Sequence, residues 1–148
     1  MENWFEWSII TIGIIIVIWG LYLFRKAKSS LYWNEILGHI DYISLDVLEM
    51  PGDTHKSYKI KIRYSYRYDG RPFVSHKIFI GDFMRSSFPL KARKILKEYK
   101  TNDNIIIYFN PKKHSDSIII KGVDWGIYFL LIMGVVSISI GLILYVFL

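Results

Sequence analysis

Hydrophobic positions in this chain gather at its two ends, and the middle is mixed and periodic. Residues 8–24, SIITIGIIIVIWGLYLF, carry no charge. At ~1.5 Å rise per residue they cover ~25 Å, and with Trp4 to Trp7 at the edge they reach the ~30 Å of a bilayer core. Residues 125–148, WGIYFLLIMGVVSISIGLILYVFL, form a second uncharged run, long enough to span with some tilt. Both runs are expected to be transmembrane helices; the alternative for the second is a buried C-terminal helix. A cleaved signal peptide would place cations before the first run, whereas Glu2 and Glu6 precede it and Arg25, Lys26 and Lys28 follow. The first run is therefore expected to stay as an anchor.

Between the runs the period changes. In YKIKIRYSYRYDG, Tyr58, Ile60, Ile62, Tyr64, Tyr66 and Tyr68 alternate with Lys59, Lys61, Arg63, Ser65, Arg67 and Asp69. That strict period of two predicts a half-buried strand, and Asp69-Gly70 predicts the hairpin that ends it. A return strand is expected from about Phe73 to Ile80, and a first strand from Gly38 to Leu48, stopped around Pro51-Gly52. SSFPLKARKILKEYK reads as a helix: Ser86 or Ser87 can cap it and Pro89 suits its first turn. Leu90, Ile95, Leu96 and Tyr99 share one face of it, against Lys91, Arg93, Lys94 and Lys97. Two last strands, IIIYF and III, are expected to flank a hairpin loop NPKKHSDS, because Pro111 cannot donate to a ladder. The expected fold is membrane α+β, a two-helix transmembrane hairpin with an inserted small antiparallel β domain of about five strands plus one helix. Its segments are 1–28, 29–123 and 124–148.

Small residues recur on both apolar runs, Gly13 and Gly20 on the first and Gly134, Ser137 and Gly141 on the second. Such spacing lets helices approach closely, in a hairpin or against other chains. Trp4 and Trp7 at one end, and Trp125 and Tyr128 at the other, fit the aromatic belts of a membrane interface.

Charge orients the chain. All 19 Lys and Arg, with 11 of the 13 acids, lie between the two apolar runs, giving that stretch a formal +8. Arg25, Lys26 and Lys28 follow the first run, and Lys112, Lys113 and Lys121 precede the second. The middle domain is therefore expected on the cytoplasmic side of a bacterial inner membrane, with both termini outside.

Taken in order, several elements resemble an uncharacterised bacterial membrane family, DUF3592, known only as a domain of unknown function. They are an apolar helix, basic residues, Gly38-His39-Ile40, the strand YSYRYDG with Val74-Ser75, the segment KARKILKEYKTNDNIIIYFNPKKHSDSIII, and a second apolar helix. The resemblance implies a strand, an Asp-Gly hairpin, a short helix and a terminal Tyr-Asn-Pro-type turn, here Tyr108-Phe109-Asn110-Pro111. Phe109 stands where that family commonly has tyrosine, and Lys112-Lys113 replace a Pro-containing run. No activity is implied, since the family has no established catalytic or binding residues.

Candidate chemistry is sparse. The chain has no cysteine, which excludes disulfides, thiolate zinc sites and cysteine nucleophiles. His39, His55, His76 and His114 lie in separate segments without a second ligand at metal spacing. There is no Gly-x-Ser-x-Gly elbow and no phosphate loop. Neither an enzyme nor a cofactor is expected; a hydrolase using His114 and Asp116 ranks last. The cations Lys59, Lys61, Arg63 and Arg67 of the strand, with Lys91, Arg93, Lys94 and Lys97 of the helix, are read first as solvated or facing anionic lipid. A protein partner comes second and nucleic acid third, because a period-two strand sends tyrosines and cations to opposite faces. For a partner arriving from solution, the candidate contacts are Asn110, Lys112, Lys113, His114 and Asp116 in one loop, and Asp53 and His55 in the other.

These features point to a non-enzymatic integral membrane protein whose β domain binds a protein partner. One form of it is an immunity protein that neutralises a membrane-acting toxin. The alternative is an accessory subunit of a larger membrane enzyme or transporter, docked through Gly134, Ser137 and Gly141; self-association stays open.

Overall fold

The computed structural model describes residues 4–49, 56–82 and 89–147 of the 148. The chain divides into two compact units, Met1–Lys28 with Val123–Leu148, and Ser29–Gly122.

The first unit is an antiparallel pair of helices, α1 (Trp4–Ser29) and α3 (Trp125–Phe147). Both are long and apolar enough to cross a membrane. Their glycines lie in the contact. A Cβ on Gly13 would come 2.7 Å from Ile138, one on Gly20 2.7 Å from Leu131, one on Gly134 2.7 Å from Val17, and one on Gly141 2.6 Å from Ile10. At Gly13, Gly134 and Gly141 backbone atoms of the facing helix also lie within 3.3 Å, so the close approach there depends on bare backbone, while at Gly20 the neighbours are leucine side chains. Ser137 adds a hydroxyl donated to the Ile9 carbonyl at 3.2 Å. The small-residue face of α3 is thus occupied by α1. Trp7 meets Tyr145 edge-on at one end of the pair, and Phe24 meets Tyr128 at the other. Trp4, Trp7, Trp125 and Tyr128 are all exposed, as interfacial residues would be. Asp124 starts α3 by accepting the Gly126 N–H on its carboxylate.

The second unit contains five strands and one helix: β1 (Asn34–Glu49), β2 (Lys56–Tyr68), β3 (Arg71–Ser75), α2 (Pro89–Glu98), β4 (Asn104–Asn110) and β5 (Lys113–Ile118). The sheet order is β3-β2-β1-β4-β5, with every neighbour antiparallel. On β2 the period of two appears as burial: Ile62, Tyr64 and Tyr66 are inside, while Lys61, Arg63 and Arg67 are outside. Asp69 and Gly70 turn the hairpin with φ of 50° and 72°, the left-handed pair a two-residue turn requires.

β1 serves two partners, pairing with β4 from Asn34 to His39 and with β2 from Gly38 to Glu49. It bends where it changes partner, through Gly38 and a bulge between Ile40 and Tyr42. The sheet curls until its end strands, which run in the same direction, come together. This is the connectivity of a five-stranded, partly open OB-type barrel with its helix between β3 and β4. Ile95 of α2 joins Ile40, Ile62, Tyr64, Tyr66, Ile107 and Phe109 in the core. Burying each such side chain is worth roughly 1.5–3 kcal/mol.

Three expected boundaries move. The return strand ends at Ser75 rather than Ile80, because the Ile78 N–H bonds the Asp82 carboxylate at 2.7 Å and the chain turns at Gly81. The first strand begins at Asn34, four residues earlier than Gly38, because that segment pairs with β4. The loop expected from Asn110 to Ser117 contracts to the turn at Pro111 and Lys112, and Lys113–Ile118 is the last strand. Asn110 tightens that turn by accepting the Lys112 N–H at 2.9 Å. Ser86 and Ser87 lie outside the described residues.

The seam between β3 and β5 is polar. The Tyr64 hydroxyl donates to the Lys77 carbonyl at 2.8 Å and lies 3.3 Å from Ser117 Oγ. Tyr66 donates to the His114 carbonyl, and Ser75 to that of Ser117 at 3.4 Å. The N–H groups of Ile119 and Ile120 both reach the Ile78 carbonyl, at 3.0 and 2.8 Å. At the unit's own ends, the Gly122 N–H donates to the buried Ser30 hydroxyl at 3.0 Å.

Two outcomes are expected. With Ile9→Cys and Ser137→Cys introduced into this cysteine-free chain, oxidation in membranes should join α1 to α3. Adding Gly134→Ile should cut the yield several-fold, since overpacking costs ~1–3 kcal/mol. Burial pushes the Tyr64 phenol well above its ordinary 10.0. The stability this raised value brings is complete below pH 10.0 and is lost as pH rises above it. Tyr64→Phe should cost about 1 kcal/mol at neutral pH and make unfolding less steep in alkali, by denaturant titration in micelles.

Candidate functional site

Register places side chains on the outer face of the β unit in two rows across four strands. His39 stands opposite Asn104 on β4 and Ser65 on β2, and Ser65 stands opposite Val74 on β3. In the next row Leu37 faces Ile106, and Arg67 faces Pro72. Leu37 and Arg67 come side by side one residue beyond the Gly38–Tyr66 pair. A shallow depression of about 340 Å³ lies here, lined by Leu37, His39, Ser65, Arg67, Pro72 and Asn104. Leu37, Ile106 and Val74 are 68, 52 and 47 % exposed, so the patch is apolar surface left uncovered within the unit.

Gly38 makes this surface possible. A Cβ there would meet Ile107 Cδ1 at 2.1 Å and the Ser65 carbonyl oxygen at 2.7 Å. Side chains thus cannot occupy the bend of β1, and the sheet folds tightly enough to bring four strands beneath one patch. His39 is oriented by Asn104, whose Oδ1 is 3.4 Å from its Nδ1.

The expected basic face is on the surface, and two of its cations are neutralised. Lys61 Nζ lies 2.7 Å from Asp46, a hydrogen bond that holds its ammonium above the ordinary value. Arg63 is 3.5 Å from Asp41, which also accepts the Ser65 hydroxyl at 2.9 Å. Lys59, Arg93, Lys94 and Lys97 are exposed. A second cleft, about 430 Å³, lies between Lys94 and Glu98 of α2, Tyr108 of β4, and Ile119 to Lys121. There Lys121 is paired with Glu35 at 3.2 Å and lies over the Tyr108 ring.

The residues expected to meet a partner at the β4–β5 turn divide. Lys112 lies in the turn, and Asn110 and Lys113 pair at its base as the ends of β4 and β5. His114 packs its ring on Tyr68 and Phe109, and its Nε2 is 3.1 Å from the Pro111 carbonyl. Asp116 faces inward from β5, 6 % exposed, with Lys77 Nζ at 2.9 Å. The structure therefore holds His114 and Asp116 in packing and ion pairing, not in an open loop. Asp53, His55 and the Lys91 side chain lie outside the described residues. Among the described residues no three His, Asp or Glu converge as a metal site would require.

Sequence reasoning missed Leu37, Ser65, Pro72, Val74, Asn104 and Ile106 as one surface. A signal existed in NIIIYF: a period of two that buries Ile105 and Ile107 leaves Ile106 outside.

Among known proteins, one family model matches residues 39–124, and its description is Domain of unknown function (DUF3592). No curated protein and no solved structure matches the chain.

Gly38→Ala should destabilise the β unit by about 3 kcal/mol, because the nearby Ser65 oxygen is backbone and cannot swing away. Adding Ile107→Val removes the nearer clash and should recover part of that loss, read as the midpoint of thermal unfolding.

Proposed function

We propose a binding role for this chain, which belongs to the DUF3592 family, a domain of unknown function matched over more than half its length. In this reading it is a non-enzymatic membrane protein whose β unit holds a protein partner at a bacterial inner membrane. The observation that carries it is the patch around Leu37. Exposed apolar side chains surround one arginine, with polar His39, Ser65 and Asn104 beside them. Interface cores share that composition, being apolar, rich in Arg and poor in acids. The shallowness of the depression suits a protein surface better than an enclosed small molecule.

The pair that suggested hydrolysis has structural occupations: Asp116 is held by Lys77, and the His114 ring packs on Tyr68 and Phe109. The aromatics Tyr64, Tyr66 and Phe73 give nucleic acid little to stack on, because they contribute to the core, away from the cations. The cytoplasmic side is favoured by Arg25, Lys26, Lys28 and Lys121 flanking the two apolar helices. A membrane-acting toxin is one partner that such a module would neutralise. Docking of another protein's helices on Gly134, Ser137 and Gly141 is disfavoured, since α1 already fills that face.

Site-specific photocrosslinking tests the reading. A benzophenone amino acid at Leu37 or Ile106, activated in intact cells, is expected to give a discrete adduct with another protein. The same probe at Lys97 on α2 should not. No adduct from the patch, or adducts only with further copies of this chain, would sink the proposal.

A further inference from the structure

We propose that the partner presents an acidic side chain, flanked by apolar ones, to Arg67. This rests on the binding reading above and supplies the chemistry of its ligand.

The argument is a contrast along one strand. The outward cations of β2 meet β1, and the acids of β1 are placed unevenly. Lys61 has Asp46 at 2.7 Å, and Arg63 has Asp41 at 3.5 Å. Past Asp41 the next acid of β1 is Glu35, which Lys121 holds at 3.2 Å. Beside Arg67 the chain offers Leu37 on β1 and Pro72 on β3, with Ser65 and His39 in the neighbouring row. Among the described residues Arg67 has no carboxylate within ion-pair distance. It is an unpaired cation with apolar Leu37 and Pro72 at its sides and neutral polar groups in the next row.

A protein covering Leu37, Ile106 and Val74 must also exclude water from much of the guanidinium. Covering it without a counter-charge leaves a desolvated cation unpaired, which opposes binding. A carboxylate matches the guanidinium fork with two parallel N–H···O bonds, and neighbouring apolar side chains fill the rows on either side. A basic segment is repelled. A phosphate backbone also suits Arg67, but a nucleic-acid track needs a line of unsatisfied cations. Here the next cations are held by Asp41 and Asp46, whose own charge opposes phosphate. The matching partner is therefore an acidic, apolar protein segment.

The test uses the full chain in nanodiscs of zwitterionic lipid and four fluorescent probes. Three are peptides of one length with a Leu-X-Ile-Val centre, where X is Glu, Gln or Lys; the fourth is an oligothymidylate. By anisotropy the Glu peptide is expected to bind saturably and about tenfold more tightly than the Gln peptide, with the Lys peptide weakest. Arg67→Gln, an exposed change whose thermal unfolding should match the parent, is expected to abolish the Glu preference. Arg63→Gln should leave it intact, since that cation is already paired. Leu37→Ser should weaken the Glu and Gln peptides alike.

Equal binding of the Glu and Gln peptides, a preference that survives Arg67→Gln, or tighter binding of the oligothymidylate would each overturn the proposal. So would no saturable binding of the Glu peptide at roughly millimolar concentration. If crosslinks from Leu37 persist in any of these cases, only the acidic chemistry fails. If they are absent too, the binding reading fails with it.

Discussion

The β unit depends on closing a sheet whose two outermost strands share no ladder. β3 and β5 run in the same direction and meet edge to edge, so the carbonyls facing the seam need other donors. Tyr64, Tyr66 and Ser75 supply them, which accounts for side chains that an apolar core would exclude. A phenol serves twice, since its ring fills the barrel while its hydroxyl crosses to the far edge. Once the seam is closed, Ser117 and Asp116 are committed inward, and the four strands β3, β2, β1 and β4 are left to present the outer face.

Much of this was legible in the sequence. β2 announced itself because its alternation is unbroken, and a strand with one buried face tolerates no other period. The apolar helices and their small-residue contacts were equally visible, since no charge interrupts them. Strand ends were less so. His114, Asp116 and Ser117 look like loop residues, and their burial follows from the approach of β3, a contact between segments about forty residues apart. The Phe73–Ile80 run looked like one strand, yet Asp82, a local side chain, took the N–H that would have continued it. Composition describes a segment's preferences and says little about which distant backbone will compete for its hydrogen bonds.

The same limit explains the candidate surface. Leu37, Ser65, Val74 and Ile106 come from four strands, and none is unusual alone. They become neighbours only through register, and register is fixed by the turn at Asp69-Gly70, the bulge after Ile40 and the bare bend at Gly38. The net positive charge, prominent in the composition, does not say which cations are paired. Acids on β1 neutralise two of the cations on β2, and Arg67, beside Leu37 and Pro72, is left without one among the described residues.

The hydrogen bond between Gly122 and Ser30 joins residues 92 apart in sequence. Closing a flexible loop of that length would cost about 4 kcal/mol of chain entropy, against about 1 for a three-residue turn. Because the barrel brings its own ends together, the helix pair is spared most of that difference. To the helices, the whole β unit counts as a tight turn. A module built this way can be enlarged, exchanged or removed in the course of evolution while the membrane anchor keeps the same connectivity cost.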